Sequence, residues 1–322
     1  MSSFLLRRLL AAAPLLLGSL TLLFLLLQLV PGRPFASEAG AGVSPTAAER
    51  LRRVSGSDLP IARRYLAWVG GAIGGDLGYS WSERRPVAEA VRDAAVRTLL
   101  LAGTAMALQF LLGFGVGLLA AAAERRLDRL LTAGAGILYS VPSFWLGLLL
   151  VGFFSVRLGW LPVSQLHSPD AAAWGPWPRL FDAARHLVLP CLALALPGAG
   201  GIALFVRDEV RAALSEGLAR AARSRGLGRG RIVLRHGVGR ALLAVSVLFG
   251  LAIPGLLGGS IVIESLFAWP GMGRLACQGT LARDEPLVLG CAAVAALLVI
   301  AGSLAADLLA AAVDPRVRES LR

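Results

Sequence analysis

The groups able to do covalent chemistry in this chain are few, and their spacing argues against most of the chemistries they serve elsewhere. Three cysteines, Cys191, Cys277 and Cys291, form neither a CxxC pair nor a cysteine–histidine ligand set, so no metal site and no disulfide framework follows. A serine protease working inside a helix bundle needs a serine and a histidine facing one another at membrane depth. Ser140, Ser143, Ser246, Ser260 and Ser303 are available, but His167, His186 and His236 fall at or outside the ends of apolar runs. An intramembrane protease therefore stays only as an alternative. No G-x-x-x-x-G-K-S/T loop is present to cradle nucleotide phosphates, so any energy from ATP has to come from a partner. Two acids remain as candidates for a transport pathway, because an ionisable group in an apolar run is a functional candidate by default. Asp307 lies within the last run, about two turns before Asp314, where pairing with an arginine at the membrane surface is the competing reading. Glu264 sits where the fifth run ends, and competes with a plain turn punctuated by Pro270-Gly271 and Gly273. Pro142 and Ser143 join them as pathway candidates. Pro142, Pro190, Pro197 and Pro254 interrupt runs or their ends, and the carbonyls they free must be satisfied by neighbouring helices or water.

The elements that would position these residues are membrane helices. Of the 322 residues 56% are hydrophobic and 16% charged, and the mean hydropathy is +0.70, too apolar for a soluble protein of this length. Uncharged stretches run about Leu9–Val30, Thr98–Ala123, Leu130–Val156, Leu187–Val206, Ala241–Ile263 and Leu287–Ala306. Each meets the roughly 20 residues a helix needs to cross the hydrocarbon. The expected fold is an all-α integral membrane protein with six transmembrane helices. The formal charge of +12 invites a nucleic-acid reading in a soluble protein, but every basic residue is arginine and the arginines gather at run ends, where they act as topology signals. Arg7 and Arg8 precede the first run, Arg125, Arg126 and Arg129 separate the second and third, and nine arginines from Arg207 to Arg240 separate the fourth and fifth. Both termini and the loop at about 207–239 are expected to be cytoplasmic. A cleavable signal peptide competes for the first run, but that run is longer than a usual h-region and Ala39-Gly40-Ala41 lies well beyond it. Between the first two runs, Ile61, Tyr65, Trp68 and Val69 have helical spacing and Gly74-Gly75 ends them, which predicts a small periplasmic region. Three parts follow: 1–94 for the first helix and periplasmic region, 95–311 for the core, and 312–322 for a tail. Gly113, Gly115, Gly117, Gly134 and Gly136 predict close helix packing.

The loop from Leu214 to Gly239 carries the most information. Ser215 can cap a helix in which Leu218, Ala221, Ala222 and Arg225 share one face, and Gly226 can stop it. Such a helix is too short to stand alone and needs either anionic lipid or a groove on a partner protein.

The run Arg220-Ala221-Ala222-Arg223-Ser224-Arg225-Gly226-Leu227, followed by Ile232, resembles the EAA loop of ABC importer permeases, in the form used by the dipeptide, oligopeptide and nickel branch. Arg220 stands where the general consensus has glutamate. The resemblance extends through Tyr65-Leu66-Ala67-Trp68 and Gly75-Asp76-Leu77-Gly78-Tyr79-Ser80, Arg85-Pro86-Val87, Ser140-Val141-Pro142-Ser143-Phe144-Trp145, Leu158-Gly159-Trp160-Leu161-Pro162, His186-Leu187-Val188-Leu189-Pro190, Glu264 to Gly273, and Asp314-Pro315-Arg316-Val317-Arg318. Arg33 departs from the family's aspartate after the first span, and the Trp174-Gly175-Pro176-Trp177-Pro178 insertion is a second departure. What the resemblance implies is a type I ABC importer permease fold with no cofactor and no enzymatic activity of its own. It further implies a second homologous permease subunit, two ATPase subunits and an extracytoplasmic solute-binding protein in the inner membrane of a bacterium, with membrane lipid around it and no nucleic acid. Arg220, Ala221, Ala222, Arg225, Gly226 and Leu227 would then couple to the ATPase. An ATP-independent carrier or channel, which has no need of such a helix, is the other alternative. The peptide, nickel, opine and sugar branches share these motifs, so the cargo stays open.

Overall fold

The structure is a computed structural model that describes residues 2–29, 60–215 and 237–313. The proposed ATPase-coupling residues Arg220, Ala221, Ala222, Arg225, Gly226 and Leu227 lie outside the described residues, as do Arg33 and residues 314–322 of the tail. The regular structure of the described chain is helical except for one hairpin. Its elements are α1 (Ser2–Leu29), α2 (Ile61–Ile73), β1 (Tyr79–Ser80), β2 (Arg85–Pro86), α3 (Val87–Ala122), α4 (Arg125–Ser140), α5 (Ser143–Leu150), α6 (Pro176–Ser215), α7 (Val238–Leu266), α8 (Met272–Leu281) and α9 (Glu285–Val313). Among the described residues, four helices are long and apolar enough to cross a membrane by themselves, and the count reaches up to six when each of two bent pairs is one span.

The third apolar run, read as a span over about Leu130–Val156 with Pro142 interrupting it, is broken sharply at that proline. It forms α4 and then α5 with the π-helical turn Val151–Arg157, and the two halves meet at 103°. The cause is local. Pro142 has no N–H to give the helix and forces the residue before it out of the helical region, and Val141 is extended at φ −82°, ψ 126°. Pro190 and Pro197 produce no such break: α6 continues through both. The insertion at Trp174–Pro178 starts that helix, since Pro176 and Pro178 occupy a first turn whose N–H groups need no helical partner. The two parts of α7, Leu248–Leu256 and Gly258–Leu266, bend by 42°.

Contacts divide the chain into two compact units. The larger holds the described residues of Leu99–Trp269 with residues 301–313 and 2–5. Its core joins α3, α6 and α7 through Leu101, Leu189, Ala193, Ile263, Phe267 and Trp269, the last fully buried. Without a hydrophobic drive between helices in lipid, close approach supplies the packing, and small residues permit it. A Cβ at Gly113 would lie 2.7 Å from the Ile202 Cβ, and one at Gly117 would lie 2.6 Å from the Ala203 carbonyl oxygen. Those two glycines seat α3 on α6. Gly115, Gly134 and Gly136 meet nothing within 4 Å, so of these five glycines Gly113 and Gly117 make the close helix contacts within the described chain. Gly147 lets α5 approach the side chains of Leu266 and Phe267.

The smaller unit holds Leu6–Thr98 and Pro270–Ile300. As the spacing predicts, α2 ends at Gly74, followed by Gly75 at φ 85°. Tyr65 on α2 stacks obliquely on Phe24 of α1 at 5.2 Å and hydrogen-bonds Thr21. In the hairpin Tyr79 pairs with Pro86 and Ser80 with Arg85, antiparallel. Val87, Val91, Met272, Leu275, Leu287 and Cys291 form the core beneath it.

Candidate functional site

Within the larger unit a cleft of about 660 Å³ opens between α3, α4, α5, α6 and α7. Its walls are mainly apolar: Phe110, Leu194, Ile202, Phe205 and Leu256 contribute, and Phe110 meets Phe249 at 5.2 Å. The polar groups on the lining are few. Gln109 from α3, Tyr139 from α4, Ser143 from α5 and Asp208 from α6 reach it. Glycines on α6 make room for two of these. Any Cβ at Gly198 would collide with the Gln109 amide, and one at Gly201 would lie 2.9 Å from the Tyr139 ring. Asp208 is the charged residue among the described lining residues, and its carboxylate accepts from Arg207 Nη1 at 2.7 Å. A cleft with apolar walls and scattered hydrogen-bonding groups suits a small solute that must slide rather than stay: each polar group can be replaced by the next, and the charge of Asp208 is offset by its ion pair with Arg207.

The broken third span delivers two of those groups. Ser143 opens α5 directly after Pro142, which caps it at φ −60°, ψ 134°, so the break places a hydroxyl on the cleft wall. Among the four pathway candidates read from sequence, the structure thus puts Ser143 on the lining and Pro142 next to it. Glu264 lies elsewhere, fully buried near the end of α7, with its backbone carbonyl accepting the Trp269 N–H at 2.8 Å. Asp307 is half-buried on α9 and is not on the lining. Gln109 and Tyr139 escaped the sequence reading, because single polar residues within apolar runs have no diagnostic spacing.

A second arrangement also escaped it. Asp128, buried in the first turn of α4, meets Arg207 and Arg211 of α6 at 2.6 Å and 2.8 Å. Arg207 and Arg211 were legible only as members of a basic, topology-setting cluster, and Asp128 was not singled out.

The chain matches the family model described as binding-protein-dependent transport system inner membrane component over residues 113–319, and the corresponding N-terminal model over residues 1–102. It belongs to that family. The oligopeptide transport system permease protein AppB of Bacillus subtilis (strain 168) is 34% identical over 320 residues, covering 98% of this chain and 99% of AppB. The glutathione transport system permease protein GsiC of Escherichia coli (strain K12) is 35% identical over 319 residues, covering 99% of each. A chain from the MetNI methionine ABC transporter, in a structure of its inward-facing conformations, superposes with a TM-score of 0.53 at 20% identity, covering 70% of this chain and 96% of that one. That likeness establishes the type I importer permease fold. The protein is therefore a permease subunit of a binding-protein-dependent ABC importer in the inner membrane, and the ATPase and solute-binding functions of such an importer reside in other subunits. For this permease the cleft, and not a catalytic constellation, is the site to explain.

Proposed function

We propose that this permease forms, with a second homologous permease subunit, the translocation pathway for peptides across the inner membrane. Two ATPase subunits dock on the cytoplasmic loop at about 207–239, and an extracytoplasmic solute-binding protein delivers the cargo. The observation that carries the reading is the cleft itself: apolar walls interrupted by Gln109, Tyr139 and Ser143 offer both kinds of contact that a peptide, with its amide backbone and mixed side chains, presents. The oligopeptide and glutathione cargoes named for its relatives point the same way. Both termini are cytoplasmic, on the side where short connections carry excess arginine. In the loop, the Ala221-Ala222 face of a short helix enters a groove on the ATPase, and Gly226 ends it. ATP-driven closure of the ATPases then favours one of two arrangements of the bundle, since a partner shifts a conformational equilibrium only by binding its two states differently.

The test is reconstitution of the importer in liposomes with its ATPases and binding protein. ATP-dependent uptake of di- or oligopeptides, abolished by Ala222→Arg together with Gly226→Val, is expected. Uptake that ignores ATP and those substitutions would mean a self-sufficient carrier. Binding-protein calorimetry with peptides, nickel chelates and small glycosides settles the cargo, and a nickel chelate binding in place of peptides would overturn the peptide assignment.

A further inference from the structure

The ends of α4 and α6 meet over one buried carboxylate. Asp128, 4% exposed, takes both prongs of the Arg207 guanidinium, Nε on Oδ1 at 2.6 Å and Nη2 on Oδ2 at 3.0 Å. Arg211, one turn further along α6, brings Nη2 to 2.8 Å from Oδ2, and Thr132 Oγ1 donates to Oδ1 at 3.3 Å. The third Arg207 nitrogen, Nη1, donates to Asp208. Two arginines stand against two aspartates, so the cluster is neutral, and a forked arginine–carboxylate contact fixes angle as well as distance.

The same helices touch again about two turns away, where a Cβ on Gly200 of α6 would overlap the Ala135 carbonyl and lie 2.9 Å from the Tyr139 nitrogen. An ionic clamp at one end and backbone contact at the other leave the pair no hinge between them. One end of this pair is the base of the 216–236 segment. α6 runs to Ser215, and Gly237, the first described residue after that segment, lies with its Cβ position 2.8 Å from Val210, next in sequence to Arg211. The other end carries Tyr139 and the break that presents Ser143 to the cleft.

We propose that the Asp128–Arg207–Arg211 cluster is a positioning device: it makes α4 and α6 move as one body, so that displacement of the 216–236 segment reaches the cleft wall. The inference rests on the reading that an ATPase acts on that segment. Asp128 touches no solute and works through Tyr139 and Ser143.

The experiment uses the complete importer in liposomes and reads solute taken up per ATP hydrolysed beside the ATPase rate. Asp128→Asn keeps the shape and removes the charge that both arginines share. The expected complex assembles and hydrolyses ATP but moves about tenfold less solute per ATP, within the usual range of coupling between linked sites, and Asp128→Glu restores most of the ratio. A purely structural role would lower yield and ATPase rate together and leave the ratio unchanged, and that result overturns the proposal. Where Asp128→Asn fails to accumulate, Arg211→Gln decides, since it leaves the Arg207 fork in place: a lowered ratio supports the cluster and an unchanged ratio overturns it. A wild-type complex whose uptake ignores ATP overturns the functional reading first, and the cluster's role with it.

Discussion

The Ser80 hydroxyl donates to the Asp284 carboxylate at 2.6 Å across 204 residues of chain, and both side chains are fully buried. The same oxygen takes the Ser82 hydroxyl at 2.7 Å and the Ser82 N–H at 3.0 Å. The other oxygen accepts the Leu287 N–H at 3.2 Å, as an N-cap does, at the start of α9. One carboxylate thus ties the β1–β2 turn to a helix end. Asp284→Ala strands these donors away from water and is expected to cost about 3 kcal/mol, with Asp284→Asn costing roughly half. Thermal or denaturant unfolding of the purified permease in detergent measures both.

The glycines of α3 offer a matched comparison. Gly117→Ala drives a methyl group toward the Ala203 carbonyl and Val206, whereas Gly115→Ala enters open space. The first is expected to lower stability by about 1–3 kcal/mol, and the second to leave it unchanged or raise it slightly, because alanine suits a helix better. Equal effects in the same unfolding assay would contradict the assigned packing of α3 on α6.

Gly255 lines the cleft and its Cβ position meets nothing within 4 Å. Gly255→Phe therefore starts a bulky side chain from open space on the cleft lining. Uptake should fall by about tenfold, on the order of 1.4 kcal/mol at the limiting step, while the ATPases still co-purify with the permease. Undiminished uptake would place the pathway elsewhere.

Arg64 on α2 donates to Gln28 at 3.1 Å and pairs with Glu285, and Gln28 closes the ring by donating to Glu285 at 2.8 Å. This half-buried triangle fastens α2 to α1 and α9. Arg64→Met should speed amide exchange in α2 by about tenfold or more, the equivalent of a lost charge-assisted bond, and leave α8 unaffected.

How much of this was readable beforehand depended on whether a local rule decided the outcome. The spans follow from uncharged runs of sufficient length, and α2 follows from Ile61, Tyr65, Trp68 and Val69 with a glycine stop. At Pro142 the local rule predicts an interruption, but its angle depends on where α5 finds a seat, and that seat is supplied by Leu266 and Phe267, more than a hundred residues on. Three glycines at alternate positions cannot share one helix face, so only Gly113 and Gly117 could pack together. Asp128 was hidden among Arg125, Arg126 and Arg129, where an isolated acid reads as ordinary surface. Its burial becomes visible only once Arg207 and Arg211, one helical turn apart, are brought opposite it. Glu264 shows the reverse: its place at a run end offered either a pathway acid or part of a turn, and the fold encloses it completely.

The sharp corner at Pro142 also resolves a problem of fit. Drawn out straight, the stretch from Leu130 to Val156 would be about 40 Å long, overshooting a hydrocarbon layer of roughly 30 Å. Turning through 103° shortens the end-to-end reach of the stretch, with at least one half steeply inclined to the membrane normal, so the surplus length needs no thickened bilayer. Shortening α5 by a turn should thus leave the permease matched to the same membrane thickness, whereas straightening the corner would strand apolar side chains in the headgroups.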